Sequence, residues 1–119
     1  WPERTSSGVD ILDFARLKLD FEGIDYSSYP CLALALDAAK SMGAMPVVLN
    51  AANEIAVDAF LLRQISFLEI AKIVEKTLNS TNFSEPVSID EVIALDSEAR
   101  VIAQSLIDTN QQTKVSAKL

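Results

Sequence analysis

The chain has 119 residues, half of them apolar and 23% charged, a balance typical of one soluble globular domain and not of a disordered segment. Its 17 acidic and 10 basic residues give a formal net charge of -7, and without a basic surface for phosphates nucleic-acid binding is not expected. A single cysteine rules out an internal disulfide. With no signal-peptide pattern and no apolar run long enough to span a membrane, the sequence predicts a cytoplasmic protein.

Residues 1–29 are interpreted as a linker arm, because they contain two of the three glycines and little periodicity. Their one regular pattern is the alternation of Leu17, Leu19 and Phe21, which has the period of a β-strand. No second strand pattern follows, so this strand would need a partner from outside the chain. The chain begins at Trp1 and not at a methionine, which we interpret as a cut end within a longer gene product.

The first helix is predicted over about 30–42. Pro30 is tolerated in a first helical turn, where its missing N–H would have no intrahelical partner. Apolar residues then recur at spacings of three and four, and Gly43 supplies a helix stop.

The second helix is predicted after Met45-Pro46, from Val47 to about Leu62, and is the most apolar segment of the chain. Hydrophobic residues occupy most of its circumference, which is typical of a helix buried on several sides. Its polar exceptions recur at spacings of three and four and so form one narrow stripe, Asn50, Asn53, Glu54 and Asp58.

Two capping-box patterns predict the starts of later helices. Ser66 with Glu69 begins a third helix, which runs to about Leu78. Ser88 with Glu91 begins a short helix to about Leu95.

A last helix is predicted to begin at Asp96, an N-cap residue type with Glu98 in the following turn. From Asp108 onward the chain has no apolar pattern. The predicted fold is therefore all-α: a small four-helix bundle over 30–108, in which four main helices are counted beside the short one, with an extended N-terminal arm over 1–29 and a frayed polar tail over 109–119.

The residue types needed for common active sites are missing. With no histidine and one cysteine, neither a zinc or haem site nor a serine or cysteine hydrolase can be assembled, and Cys31 is interpreted as a small buried hydrophobe. None of the three glycines forms a phosphate loop. The residue types present therefore exclude a zinc, haem, hydrolase or phosphate-loop site.

The polar stripe has two possible interpretations. Asn50, Asn53 and Glu54 are predicted to satisfy exposed backbone groups of an adjoining loop or helix end, and so to hold the bundle in register. The alternative is a cation site, because Glu54 and Asp58 lie one helical turn apart and carboxylates suit hard cations.

The stripe also carries a family resemblance. The string from Asn50 to Leu61, NAANEIAVDAFL, resembles the signature of the C-terminal domain of 1-deoxy-D-xylulose 5-phosphate reductoisomerases. The resemblance extends to about Asp108. It includes Trp1-Pro2-Glu3-Arg4, Ser7-Gly8-Val9, Leu12-Asp13-Phe14, Tyr29-Pro30-Cys31-Leu32, Phe67-Leu68-Glu69-Ile70 and Asp90-Glu91-Val92.

The resemblance implies a full-length enzyme of isoprenoid precursor synthesis. Such enzymes isomerise and reduce their substrate to 2-C-methyl-D-erythritol 4-phosphate, use NADPH and magnesium or manganese, and are typically homodimers. The family's cofactor, metal and catalytic residues all precede the position that matches Trp1, so the resemblance implies no catalytic, cofactor-binding or metal residue in this chain. The resemblance therefore implies that this piece is inactive alone and supports its missing catalytic domain. The alternative is an independent helical module that binds another protein's helix in an apolar groove.

Overall fold

The computed structural model describes residues 3, 5–6, 8–80 and 83–116, and side chains as far as 112. Within these ranges the chain forms four helices and no strand, which confirms the predicted all-α class. The helices are α1 (Pro30–Ser41), α2 (Met45–Leu61), α3 (Phe67–Leu78) and α4 (Ile89–Ser116).

Helix α2 lies at the centre of the bundle and packs against the other three helices. The side chains on its buried faces are small, and Val48, Ala51, Ala52 and Ala56 are fully buried. Small side chains allow neighbouring helices to approach closely and to interdigitate their own larger residues. The prediction that this helix is buried on several sides is confirmed.

The connection from α2 to α3 is closed at both ends by local hydrogen bonds. The N–H of Gln64 donates to the carbonyl of Ala59 at 2.8 Å and that of Arg63 to Phe60 at 2.9 Å, the Schellman arrangement, with Arg63 at φ 60°. The predicted capping box then starts α3, and the Ser66 N–H donates to the Glu69 carboxylate at 2.7 Å.

Helix α1 is the least buried of the four. Ala38 is its one residue classed as buried, and the helix ends at Ser41, followed by Met42 and Gly43 at φ 57° and 55°. The prediction that Cys31 is buried is wrong, because the first turn of α1 faces away from the core and the cysteine is exposed.

Helix α4 corrects the prediction of two separate helices meeting at Asp96. One continuous helix crosses that position, because Leu95, Ala99, Ala103 and Ile107 recur every four residues and are all buried against the core. An interruption at Asp96 would rotate one half of this stripe out of the core. The burial of the whole stripe outweighs the local N-cap signal.

The prediction of a frayed tail is wrong for residues 109–116, which continue α4. The side-chain amide of Asn110 donates to the Glu69 carboxylate at 2.9 Å and so ties the end of α4 to the first turn of α3. This tertiary contact has no counterpart in the local sequence pattern. Residues 117–119 lie outside the described part of the chain.

Candidate functional site

The polar stripe of α2 lies on the one side of that helix that its neighbours leave open. Asn50, Glu54 and Asp58 are exposed, and Asn53 is half-buried. Their spacing of four residues places the three exposed side chains one above another, as the sequence predicts.

A chain of hydrogen bonds runs from this stripe to α4. The amide of Asn50 donates to Oε1 of Glu54 at 3.0 Å, and a terminal guanidinium nitrogen of Arg100 donates to Oε2 of the same carboxylate at 2.7 Å. Arg100 also donates to both oxygens of Asp96, at 2.6 and 3.1 Å. One guanidinium therefore joins a carboxylate of α2 to a carboxylate of α4.

These bonds revise the role predicted for the stripe. The expectation that its side chains satisfy backbone groups is wrong for Asn50 and Glu54, whose partners are side chains. Asn53 takes no part in the network among the described residues. That the stripe holds the bundle in register stays a prediction, supported by the contact between Glu54 and Arg100 across two helices.

Sequence reasoning missed Arg100 and Asp96 as members of the site. Their spacing of four residues on one helix was a usable signal for an ion pair. The bond from Arg100 to Glu54 spans 46 residues, and no local pattern could have indicated it.

The network has a clear electrostatic signature. The hydrogen bond from Arg100, followed by that from Asn50, lowers the pKa of Glu54 below its ordinary value. The hydrogen bonds that Arg100 donates to Asp96, and then to Glu54, raise the pKa of Arg100, so the guanidinium stays charged at every accessible pH. The Glu54 side chain is 51% exposed, so its ion pair with Arg100 is in contact with solvent. The pair therefore contributes little to stability.

Replacing Arg100 with glutamine is expected to raise the pKa of Glu54 towards the ordinary 4.5. Because the folded pKa is depressed, the stabilisation from ionised Glu54 is fully present above about pH 4.5 and is lost as the pH falls through the folded pKa. A carbon-detected NMR titration of the Glu54 carboxyl in both proteins measures the shift. Lys40→Gln, which removes a cation of α1, should leave that titration unchanged. The same Glu54 curve in R100Q would contradict the network.

The site does not fit a metal ion. No group of three or more histidine, cysteine, aspartate or glutamate side chains is placed to hold one in the described ranges. Both oxygens of Glu54 already accept hydrogen bonds, and the charge of Arg100 beside them opposes a cation. The cation site at Glu54 and Asp58 therefore has no support in the geometry. Nor does the sequence provide a glycine-rich loop for a dinucleotide.

The second unusual surface is the arm, whose large apolar side chains are exposed through the described part of residues 8–29. Ile11 is 98% exposed, Phe14 79% and Phe21 87%. The residues from 17 to 25 have no regular secondary structure, so the strand pattern at Leu17 to Phe21 has no ladder partner among the described residues.

The bundle has an open groove beside the end of the arm. It has a volume of about 420 Å³. Apolar residues form most of its lining, which also includes Asp37, Lys72 and Glu75; the apolar residues are Tyr26, Pro30, Ala33, Leu34, Leu68 and Ala71. This groove is the feature that an independent interaction module would use. In the described part of the chain, no helix is both long and apolar enough to cross a bilayer.

Fold and site together define an all-α domain in which polar side chains cross-link helices and an exposed apolar arm precedes the bundle. Residues 1–102 match the model of the family described as DXP reductoisomerase C-terminal domain. The chain belongs to this family.

The relatives agree with this assignment and are much longer. The 1-deoxy-D-xylulose 5-phosphate reductoisomerase of Zymomonas mobilis is 50% identical over 110 residues, which are 92% of this chain and 28% of that protein. The protein of the same name from Burkholderia cenocepacia is 48% identical over 108 residues, 90% of this chain and 27% of that one. The chain therefore spans less than a third of the length of these relatives.

Solved structures of reductoisomerases contain the same fold. The Zymomonas mobilis enzyme in complex with NADPH is 51% identical and has a TM-score of 0.76 over 90% of this chain and 29% of its own. A DOX-P reductoisomerase with NADPH, fosmidomycin and magnesium is 36% identical, with a TM-score of 0.76 over 94% of this chain and 30% of its own.

Proposed function

We propose that the chain is the C-terminal structural domain of a 1-deoxy-D-xylulose 5-phosphate reductoisomerase. The full-length enzyme converts this sugar phosphate to 2-C-methyl-D-erythritol 4-phosphate with NADPH and magnesium or manganese, as a cytoplasmic homodimer. The complexes of solved relatives with NADPH and with magnesium support the cofactor assignment. The arm and bundle support the catalytic domain and contribute no side chain to the reaction.

The exposed apolar arm is the observation that carries this proposal. Side chains as large as Ile11, Phe14 and Phe21 are rarely left in water over a whole segment unless another surface covers them. The relatives, more than three times as long as the matched region, have ample additional chain to supply that surface. Supporting a neighbouring domain accounts for the arm, for the polar network and for the absence of a fit to metal or dinucleotide.

The 119-residue chain is expected to show no turnover with NADPH, magnesium or manganese, and the sugar phosphate. The full-length enzyme, assayed by NADPH absorbance under the same conditions, is the positive control. Peptide-level hydrogen exchange should show the arm unprotected in the dilute isolated chain and protected in the full-length enzyme. Turnover by the pure isolated chain, or an arm protected in dilute monomer, would overturn the proposal.

The independent interaction module makes different claims. It requires a bundle whose groove at Pro30, Leu34 and Leu68 stays open in the full-length enzyme, so that another protein's helix can enter. Equal exchange of the groove peptides in the isolated chain and the full-length enzyme would favour the module. Slower exchange of the groove peptides in the full-length enzyme than in the isolated chain would favour the structural domain.

A further inference from the structure

Residues 17–24 of the arm are bounded on both sides by turns built on aspartate. Asp13 accepts from the N–H of Ala15 through its carboxylate at 3.1 Å and from the N–H of Arg16 through its carbonyl at 3.0 Å. The carboxylate of Asp25 accepts from the backbone and the hydroxyl of Ser27, at 2.9 and 2.5 Å. The bounded segment has the length of an ordinary strand.

The carboxylate of Asp25 is stabilised in its ionised form by the groups of its own turn. Hydrogen bonds from the hydroxyls of Ser27 and Ser28, and then from their backbone N–H groups, lower the pKa of Asp25 to about 2. Its carboxylate therefore stays ionised and keeps accepting these bonds at neutral pH. The end of the segment is fixed by residues of this chain and needs no partner.

From Leu17 to Phe21 the side chains of the segment alternate in character and in direction, whereas Ile24 lies beyond this alternation. Lys18 and Asp20 form an ion pair at 3.5 Å, which places side chains two residues apart on one side of the backbone. The residues between and beside them are apolar, and Leu19 and Phe21 are 70% and 87% exposed. One side is thus charged and the other is an apolar row without cover.

The backbone of the segment is equally without partners. Across the described residues, no backbone N–H or carbonyl of 17–24 takes part in a backbone hydrogen bond. A partner that covered only the apolar side chains, such as the groove between two helices, would bury these peptide groups unpaired. A sheet edge covers the side chains and pairs the backbone together.

We propose that residues 17–24 add as an edge strand to a β-sheet in the part of the full-length enzyme outside this chain. Leu17, Leu19 and Phe21 lie on the apolar side of that sheet, and the pair Lys18–Asp20 faces solvent. The inference rests on the proposed function, since the sheet belongs to the domain that the arm supports. Charged residues on the open side suit an edge position, where they discourage further strand pairing.

Residue-resolved hydrogen exchange of the full-length enzyme tests this pairing. In an edge strand every second amide points to the partner, so protection should alternate along 17–24. Side-chain footprinting of Phe21 in the same samples measures cover separately. If Phe21 is shielded from labelling but amide protection does not alternate along 17–24, the edge strand is overturned and the proposed function stays intact. Protection of every amide in the segment counts as such a result. Phe21 labelled equally in the isolated chain and in the full-length enzyme sinks both.

Proline substitutions at adjacent positions give an independent readout. In the full-length enzyme, Leu19→Pro and Asp20→Pro remove N–H groups that point in opposite directions from an edge strand. The control for Leu19→Pro is Leu19→Ala, and the control for Asp20→Pro is Asp20→Ala. One proline variant should have the same protection factors in the arm as its control, and in the other these factors should fall about tenfold or more. Equal effects of the two prolines relative to those controls would contradict the inference.

Discussion

Replacing Ile107 with alanine is expected to destabilise the bundle by about 2–5 kcal/mol, the usual range for deleting most of a fully buried aliphatic side chain. Ile107 has no exposed surface and is the last member of the buried stripe of α4. Its loss removes apolar burial and leaves a cavity in the core cluster to which Ile107 belongs. Urea unfolding followed by circular dichroism measures the change in the free energy of unfolding.

Val101→Ala is the matched control on the same helix. Val101 is 70% exposed, and its truncation should change the free energy of unfolding by no more than about 0.5 kcal/mol. Both variants reduce a β-branched side chain to alanine in α4, so any general effect on helix propensity is shared. Equal losses in the two variants would mean that Ile107 does not lie in the core.

Local patterns predicted those features that local chemistry decides. The capping-box patterns at Ser66 and Ser88 both mark helix starts in the structure. At Ser66 the box is reciprocal, whereas at Ser88 the hydroxyl accepts from the N–H of Glu91 and the Glu91 carboxylate accepts from the N–H of Val87. The apolar circumference of α2 likewise indicated burial on several sides. These signals need no knowledge of the rest of the chain.

Features decided by distant contacts could not be read in the same way. Asp96 followed by Glu98 has the local form of a helix start, yet the helix runs through this position because the stripe from Leu95 to Ile107 is buried against the core. The hydrogen bond between Asn110 and Glu69 joins residues that are 41 positions apart, and it ties the polar end of α4 to α3. Tertiary packing overrides a local preference of about 1 kcal/mol when several buried side chains depend on it.

The candidate site shows the same division. Spacing alone placed Asn50, Glu54 and Asp58 on one side of α2, and the structure agrees. The bond between Glu54 and Arg100 could not be predicted from spacing, because Arg100 lies on another helix. For the arm, the alternation is visible in the sequence. The unpaired backbone and the turns at Asp13 and Asp25 are seen only in the structure.

Ser97→Pro is expected to lower the free energy of unfolding by about 3 kcal/mol or more, because proline inside a helix removes a hydrogen bond and clashes with the preceding turn. Ser97 lies within α4, and its hydroxyl donates to the carbonyl of Ile93 at 2.9 Å. If a new helix instead began after an N-cap at Asp96, residue 97 would be its first position, where proline is well tolerated. The two arrangements therefore differ by several kcal/mol at this one exposed position.

Ser97→Ala is the control, since it keeps the backbone N–H and should change stability by only a few tenths of a kcal/mol. Chemical unfolding of both variants measures the difference. A proline variant as stable as the alanine variant would mean that the backbone is broken at Asp96. Combining Ser97→Pro with Ile107→Ala extends the test, because a kink at residue 97 would already displace the C-terminal half of the stripe. The losses should then be less than additive, which is the result expected of one continuous helix packed along its whole length.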